Sequence, residues 1–135
     1  MTTYNKPLPI IDDDNREFWD SCKRHEMRLQ QCSDCGYWRY YPSPVCHSCG
    51  SFSHKWNTVS GKATLYTFST VYRPPSQAFA DDIPYVYAVV ELEEGPMMPT
   101  NTVGIPPDDV RIGMPLVVTY DDVTPEVTLP KFRPA

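Results

Sequence analysis

Cys32-Ser-Asp-Cys35-Gly36 and Cys46-His-Ser-Cys49-Gly50 are two C-x-x-C-G units separated by ten residues. Tetrahedral zinc takes four soft ligands at about 2.3 Å, and each such unit supplies two; the glycine that follows permits the left-handed backbone that aims amides at the sulfurs. Two disulfides or free thiols are the alternative, but the doubled spacing and a reducing compartment argue for a metal. Four cysteines close the coordination shell, whereas a catalytic zinc keeps one position open, so one structural zinc per chain is expected. His47 and His54 lie in and just after the second unit, but neither is needed to complete the shell. The fifth cysteine, Cys22, falls beside Phe18 on an apolar helix face and reads as a buried, inert thiol. Cys22 and His25 at i, i+3 would make a nucleophile and base, but no third group is visible to orient them.

These ligands must be positioned by a chain of 135 residues with a net charge of −5, 41% apolar and 13% aromatic residues. That length suits one folded unit, or two small modules sharing a core, and the composition excludes a disordered tail. Fifteen prolines interrupt long helices and exclude a helical bundle. No apolar run approaches the roughly 20 residues that cross a bilayer, and Met1 to Lys6 lacks the apolar stretch of a signal peptide, so a cytoplasmic protein without a membrane segment is expected.

Asn15 to Arg28 reads as the one good helix, with Asp14 as N-cap and Glu17 completing a capping box. Its apolar face (Phe18, Trp19, Cys22, His25, Leu29) must dock on something. After Trp56 the signal is β throughout: residues 63–72, 85–92, 100–103, 116–123 and 127–132 are short runs rich in β-branched and aromatic residues, broken by Pro and Gly turns. Glu94-Gly95 closes the second and third of them into a hairpin. Five strands in about 70 residues leave no room for crossover helices, so the expected fold is mainly β: an N-terminal helix, a zinc ribbon, then a five-stranded OB-fold barrel. The corresponding divisions are an arm and amphipathic helix over 1–30, the ribbon over 31–58, and the barrel with an extended tail over 59–135.

Charge separates the partners open to such a chain. Residues 16–62 carry a net +3, but residues 63–135 carry −6 and the first fifteen −2. A groove that tracks phosphates wants a basic stripe, and this barrel is acidic, which argues against single-stranded nucleic acid. No phosphate-cradling Gly-rich loop, G-x-S-x-G elbow or H-E-x-x-H helix is present. The carboxylate pairs Asp81-Asp82, Glu93-Glu94, Asp108-Asp109 and Asp121-Asp122 all lie beside turns, where solvation accounts for them. No catalytic residue is assigned.

Several features in order resemble the family called domain of unknown function thirty-five. They are Phe18-Trp19, then Leu29-Gln30-Gln31-Cys32-x-x-Cys35-Gly36, Tyr41-Pro42, Cys46-x-x-Cys49, Trp56 and Ser60-Gly61. In the barrel half they are Pro84-Tyr85, Val90-Glu91-Leu92-x-Glu94-Gly95, Thr100-Asn101, Ile112-Gly113-Met114 and Leu129-Pro130-x-Phe132-Arg133-Pro134. The resemblance covers about residues 7–134 and implies a rubredoxin-type ribbon joined to an OB-fold. It further implies a non-catalytic accessory subunit that supports a thiolase-fold acyl-CoA enzyme (retro-aldolase, thiolase or acyltransferase type, including steroid side-chain degradation) and helps bind or channel the acyl-CoA. The implied partner is a thiolase-fold or lipid-transfer-type aldolase subunit, with a hot-dog-fold enoyl-CoA hydratase second. Phe18, Trp19, Lys23, Arg24, Arg28, Arg39, Phe132 and Arg133 become candidate contacts to partner or acyl-CoA. Many relatives have an Arg shortly before the third cysteine and a Pro between the last two; this chain reads Pro44-Val45-Cys46-His47-Ser48-Cys49, so a CoA-phosphate contact by that Arg is not carried over. The alternatives are a stand-alone acyl-CoA-binding module, with Lys23, Arg24, Arg28 and Arg39 on the phosphates, or a nucleic-acid-binding OB-fold protein.

Overall fold

A computed structural model describes residues 4–135; Met1–Thr3, part of the stretch from Met1 to Lys6 on which the expectation about a signal peptide rests, lie outside the described residues. The helix is shorter than its sequence suggests: α1 spans Arg16–Lys23. Asp14 is not its cap. Instead the Asp12 carboxylate accepts the amides of Asp14 and Asn15, both at 3.0 Å, and Asn15 Oδ1 accepts the Asp12 amide at 2.8 Å. This local ring pairs amides just ahead of the helix, and the Asp12 carbonyl takes the first helical amide, that of Arg16, at 3.0 Å. No capping box forms, because the Glu17 carboxylate takes the Arg28 guanidinium instead. The helix stops because Ser21 competes for the backbone: its carbonyl accepts the Glu26 amide (3.1 Å) and its hydroxyl accepts the Arg28 amide (3.1 Å). His25 takes a left-handed φ of 59° in the reversal. Its Nε2 lies 3.0 Å from the Asp122 carboxylate and its ring stacks on Tyr120. The Thr128 hydroxyl and that imidazole hold the Asp122 carboxyl below its usual value.

The chain then enters a three-stranded antiparallel sheet of β1 (Arg28–Cys32), β2 (Trp38–Arg39) and β3 (His54–Thr58), ordered β2-β1-β3. The barrel follows as β4 (Lys62–Val71), β5 (Tyr85–Leu92), β6 (Met97–Asn101), β7 (Pro115–Asp122) and β8 (Thr128–Pro134). Its order is β6-β5-β4-β7-β8, and a parallel bridge from Thr102 to Phe132 brings the edges together. The Val103 amide donates to the Phe132 carbonyl at 2.8 Å across that seam. The molecule is mainly β, with a nearly closed five-stranded OB-fold barrel, as expected. The third barrel strand starts earlier than expected, at Met97, because Gly95 (φ 120°) turns the chain so tightly that the Leu92 amide reaches the Pro96 carbonyl at 2.9 Å. Pro99 is tolerated there because β6 ends the hydrogen-bonded ladder.

Alternation decides what lies inside. Val86, Ala88, Val90 and Leu92 of β5 point inward with Ala63 and Leu65 of β4, Met98, Leu116 and Phe132. Phe18, Trp19 and Cys22 of α1 join the same cluster, through Met27, Leu29 and Val59. The apolar helix face that the sequence left without a partner is therefore covered by this chain's own β1 and β8.

Gly61 sits where ribbon meets barrel, with φ 82° and its carbonyl accepting the Val118 amide at 2.8 Å. A Cβ there would lie 2.6 Å from Val118 Cγ1, whereas at Gly113 (φ 89°) it would meet nothing within 4 Å. Gly113→Ala is expected to lower unfolding free energy by about 1 kcal/mol through backbone strain alone, and Gly61→Ala by about 2 kcal/mol or more through strain plus overpacking. Equilibrium denaturation of the two variants side by side checks this.

Candidate metal centre

The two cysteine units fold into near-identical knuckles. In the first, the Gly36 amide donates to the Cys32 carbonyl at 3.0 Å and the Cys32 amide to the Tyr37 carbonyl at 2.8 Å. In the second, Gly50 donates to Cys46 and Cys46 to the Ser51 carbonyl, both at 2.9 Å. Gly36 and Gly50 have φ 79° and 78°, the left-handed turn each knuckle requires. The four sulfurs lie within 4.8 Å of one another. Cys32 to Cys49 and Cys35 to Cys46 are each 3.6 Å apart. A disulfide would hold them at about 2.05 Å, whereas the edge of a tetrahedron with 2.3 Å zinc–sulfur bonds is about 3.8 Å. The donor set and its spacing fit one zinc ion in a closed thiolate shell, and the metal is structural.

Local electrostatics shows why a cation belongs there. Backbone amides of Cys35 and Asp34 pull the Cys32 thiol down to about 6, and those of Cys49 and Ser48 lower Cys46. The Ser51 amide also favours the Cys49 thiolate, but the neighbouring sulfurs outweigh it and push Cys49 up to about 12. Four negative sulfurs at this spacing repel one another until a dication sits between them.

A second feature of the site concerns Arg39. Its side chain is fully buried in β2, where Nη1 donates to the Ser43 carbonyl (2.9 Å) and Nη2 to those of Ser51 and Ser53 (3.3 Å each). Nη1 also donates to His54 Nδ1 at 3.2 Å. Gln30, opposite Arg39 across the strands, accepts the Ser43 amide on Oε1 at 2.8 Å. One guanidinium thereby gathers the loops around the second knuckle, and the Ser51 carbonyl it holds is the one that accepts the Cys46 amide. Arg39, a candidate phosphate contact in the sequence, instead serves loop carbonyls, with Gln30 and His54 beside it; the signal for this was a five-donor fork three residues past Gly36, followed by a loop with few strand partners.

The other candidate contacts fall in three groups. Phe18, Trp19 and Phe132 are buried in the core, so the chain by itself offers none of them to a partner. The Arg28 guanidinium pairs with Glu17, and that of Arg24 with Glu26 at 3.1 Å. Lys23 and Arg133 are exposed, and neither pairs with a carboxylate among the described residues. His47 is exposed, while burial pushes the Cys22 thiol up to about 12, which keeps it an inert neutral group. Among the described residues no helix is long and apolar enough to cross a membrane.

Geometry and topology define the class as a zinc ribbon joined to an OB-fold, and comparison with known proteins agrees. Residues 19–55 match the family described as the rubredoxin-like zinc ribbon domain of ChsH2, and residues 56–121 match its C-terminal OB-fold domain. The chain is similar to a solved chain described as an Ltp2-ChsH2(DUF35) aldolase, with TM-score 0.83 and 40% identity over 94% of this chain and 98% of that one. This chain belongs to the DUF35 family. It is 42% identical over 132 residues to a probable enoyl-CoA hydratase alpha subunit of Thermomonospora curvata, covering 96% of this chain and 40% of that protein. It is 36% identical over 114 residues to the 3-oxo-4,17-pregnadiene-20-carboxyl-CoA hydratase alpha subunit of Mycobacterium tuberculosis, covering 84% of this chain and 36% of that protein. The chain thus spans about 40% or less of the length of these two relatives.

Two outcomes test the centre. Elemental analysis is expected to find one zinc per chain, and Cys35→Ser to lose the metal together with the folded ribbon, since the site does not exist in the unfolded chain; two disulfides and no zinc by mass spectrometry would contradict the assignment. Arg39→Met is expected to cost about 2 kcal/mol by taking the donor from the Ser43 carbonyl and the second donor from the Ser51 and Ser53 carbonyls, which keep the Cys46 and Ser33 amides, and to speed zinc loss to a chelator while stoichiometry stays at one.

Proposed function

We propose that this chain is a non-catalytic accessory subunit of a thiolase-fold acyl-CoA enzyme of retro-aldolase, thiolase or acyltransferase type, helping to hold the acyl-CoA. The observation that carries the reading is the similarity, along almost the whole of both chains, to a component of an aldolase complex. The chemistry of the site supports it. Carbon–carbon cleavage next to a carbonyl needs a base and a group that stabilises the developing negative charge, both beside substrate. Here the metal's four positions are filled by cysteines, Cys22 is sealed in the core, His25 faces Asp122 and His54 faces Arg39. The reacting groups are left to the partner.

The substrate is proposed to be a steroid or related lipid acyl-CoA, because the M. tuberculosis relative is named for a steroid acyl-CoA. That relative and the T. curvata one are named as hydratase alpha subunits, which favours a hot-dog-fold hydratase as a second reading of the partner. A stand-alone acyl-CoA module is disfavoured, since Arg39 is buried and Arg24 and Arg28 are neutralised by Glu26 and Glu17. With Phe18 and Trp19 turned inward, Lys23 and Arg133 are the candidate contacts left on the surface. A cytoplasmic location remains part of the proposal.

Co-expression with a thiolase-fold aldolase subunit is expected to give a stable heteromer, with cleavage of acyl-CoA only when both chains are present. Lys23→Glu with Arg133→Glu should weaken the complex, or raise KM for acyl-CoA, by about tenfold, the scale of one or two charge contacts. A monodisperse monomer that joins neither a thiolase-fold nor a hydratase subunit would sink the reading.

A further inference from the structure

The barrel's cavity, about 630 Å³ between Phe79, Tyr85 and Leu129, has its charges paired, Lys6 with Asp82 at 2.6 Å and Lys131 with Asp121 at 3.0 Å. An edge of β4 is left open instead. β4 pairs with β5 along nearly all of its ten residues, but with β7 only from Lys62 to Thr64, because β7 begins at Pro115. One more residue is covered on that side: the Leu65 amide donates to the Met114 carbonyl at 3.0 Å, and the Leu65 carbonyl accepts the Gly113 amide at 2.8 Å. Beyond it, from Tyr66 to Val71, no hydrogen bond from backbone or side chain reaches β4 on the side away from β5 among the described residues.

Strand geometry tells which groups are open. In an antiparallel ladder successive residues turn their amide and carbonyl to opposite sides, and Leu65 faces away from β5. The extra residue at the bulge between Leu65 and Thr67 shifts the alternation, so Thr67, Ser69 and Val71 face β5 while Phe68 and Thr70 turn their amides and carbonyls outward. An open edge is a template for another strand, and proteins usually blunt it with Lys, Pro or an inward-pointing charge. The run Tyr66-Thr-Phe-Ser-Thr-Val71 has none of these, and the bulge at its start leaves Thr67 to Val71 in regular register. Its residues are aromatic, β-branched and small polar ones that favour pleated pairing. Tyr66, 56% exposed, and Ile112, 67% exposed and next to the Gly113 that bonds Leu65, add apolar surface at one end of the edge; Tyr72, 67% exposed, adds it at the other.

Charge selects the occupant. The chain carries a net −5, and residues 63–135 a net −6, so a second copy would bring two acidic barrels edge to edge. The loop that covers Leu65 holds exposed Asp108 and Asp109, and its Arg111 is turned onto the Asp108 and Val110 carbonyls at 2.7 and 3.0 Å. Glu91 is exposed on β5 opposite Thr64, and Arg73, past the far end of the edge, is the one basic residue between 63 and 110. That field suits a strand with basic neighbours. We propose that the catalytic subunit of the complex lends this edge an extended segment as a sixth barrel strand, uncharged where it meets Phe68 and Thr70 and flanked by Lys or Arg on the side of Asp108 and Asp109. The inference rests on the accessory-subunit reading and adds where, and by which backbone bonds, the partner is held.

The test is residue-by-residue amide hydrogen exchange of the zinc-loaded full chain, alone and co-expressed with a thiolase-fold aldolase subunit. The Phe68 and Thr70 amides are expected to exchange fast in the chain alone and about tenfold or more slower in the complex, while those of Ser69 and Val71, which face β5, stay as they were. Burial of a face would slow neighbours alike, so the alternation marks an added strand. Thr70→Pro, which removes one open donor, should weaken the complex about tenfold with zinc content unchanged. A complex in which Phe68 and Thr70 stay fast, or one that a folded Thr70→Pro chain forms as tightly as the wild type, overturns this inference and leaves the accessory-subunit reading standing. Slowing in the chain alone that grows with its concentration gives the edge to a second copy and overturns it too. If no complex forms, both fall.

Discussion

Four thiols held within 4.8 Å of one another are the constraint on which the N-terminal half depends. From residue 33 to residue 58 the side chains that are buried belong to Arg39 and Cys46, one a cation and the other a metal ligand. An element so poor in apolar burial cannot offset its own chain entropy through the hydrophobic effect. What orders it is the metal, which converts sulfur repulsion into attraction, and the guanidinium, which supplies donors to carbonyls that no strand reaches. The two are linked through the Ser51 carbonyl, held by Arg39 on one side and by the Cys46 amide on the other. The ribbon is an electrostatic construction resting on an apolar base formed by Met27, Leu29 and Val59.

That base also ties ribbon to barrel. The apolar cluster runs from α1 through β1 into β4, β5, β7 and β8 without a break, so the metal and the barrel are mechanically continuous. Tyr41, reaching back from the loop after β2, accepts the Trp19 Nε1 proton at 2.8 Å and that of Asn15 Nδ2 at 3.1 Å. At the other end of the helix, the contact of His25 with Asp122 joins the start of β1 to β7. Both ends of α1 are therefore pinned by polar contacts while its middle is held by burial.

The cysteines, the ribbon and the five strands were legible because each leaves a periodic or spaced signal: C-x-x-C-G twice, and apolar alternation between Pro and Gly breaks. The errors lay where one residue serves two contexts. Glu17 has the spacing of a capping box, yet an arginine eleven residues on outcompetes a backbone amide for its carboxylate. Ser21 looks like an ordinary helical residue, but its hydroxyl and carbonyl each take an amide from the returning chain, and the helix ends at Lys23, five residues before the expected Arg28. Phe18 and Trp19 announced a face needing cover, and sequence cannot say whether the cover comes from another chain or from strands a hundred residues on. Arg39 illustrates the same limit for charge, since a lone arginine among aromatics reads as exposed until the carbonyls it serves are brought around it.

The use to which this chain puts its reactive groups bears on what kind of molecule it is. Sites that do chemistry keep a coordination position open, hold a base poised near a cavity, and tolerate strain there. Here the soft nucleophiles are closed around a metal and the guanidinium best placed to bind an anion is buried among carbonyls. The two most constrained imidazoles are committed to Asp122 and Arg39. The barrel cavity that remains open has its charges paired off. Each of these arrangements adds rigidity and ties up a group that could otherwise react. Charge divides along the chain as well, residues 63–135 carrying a net −6 while zinc-bound thiolates bring residues 16–62 from +3 to about +1, so the molecule is polar from one part to the other.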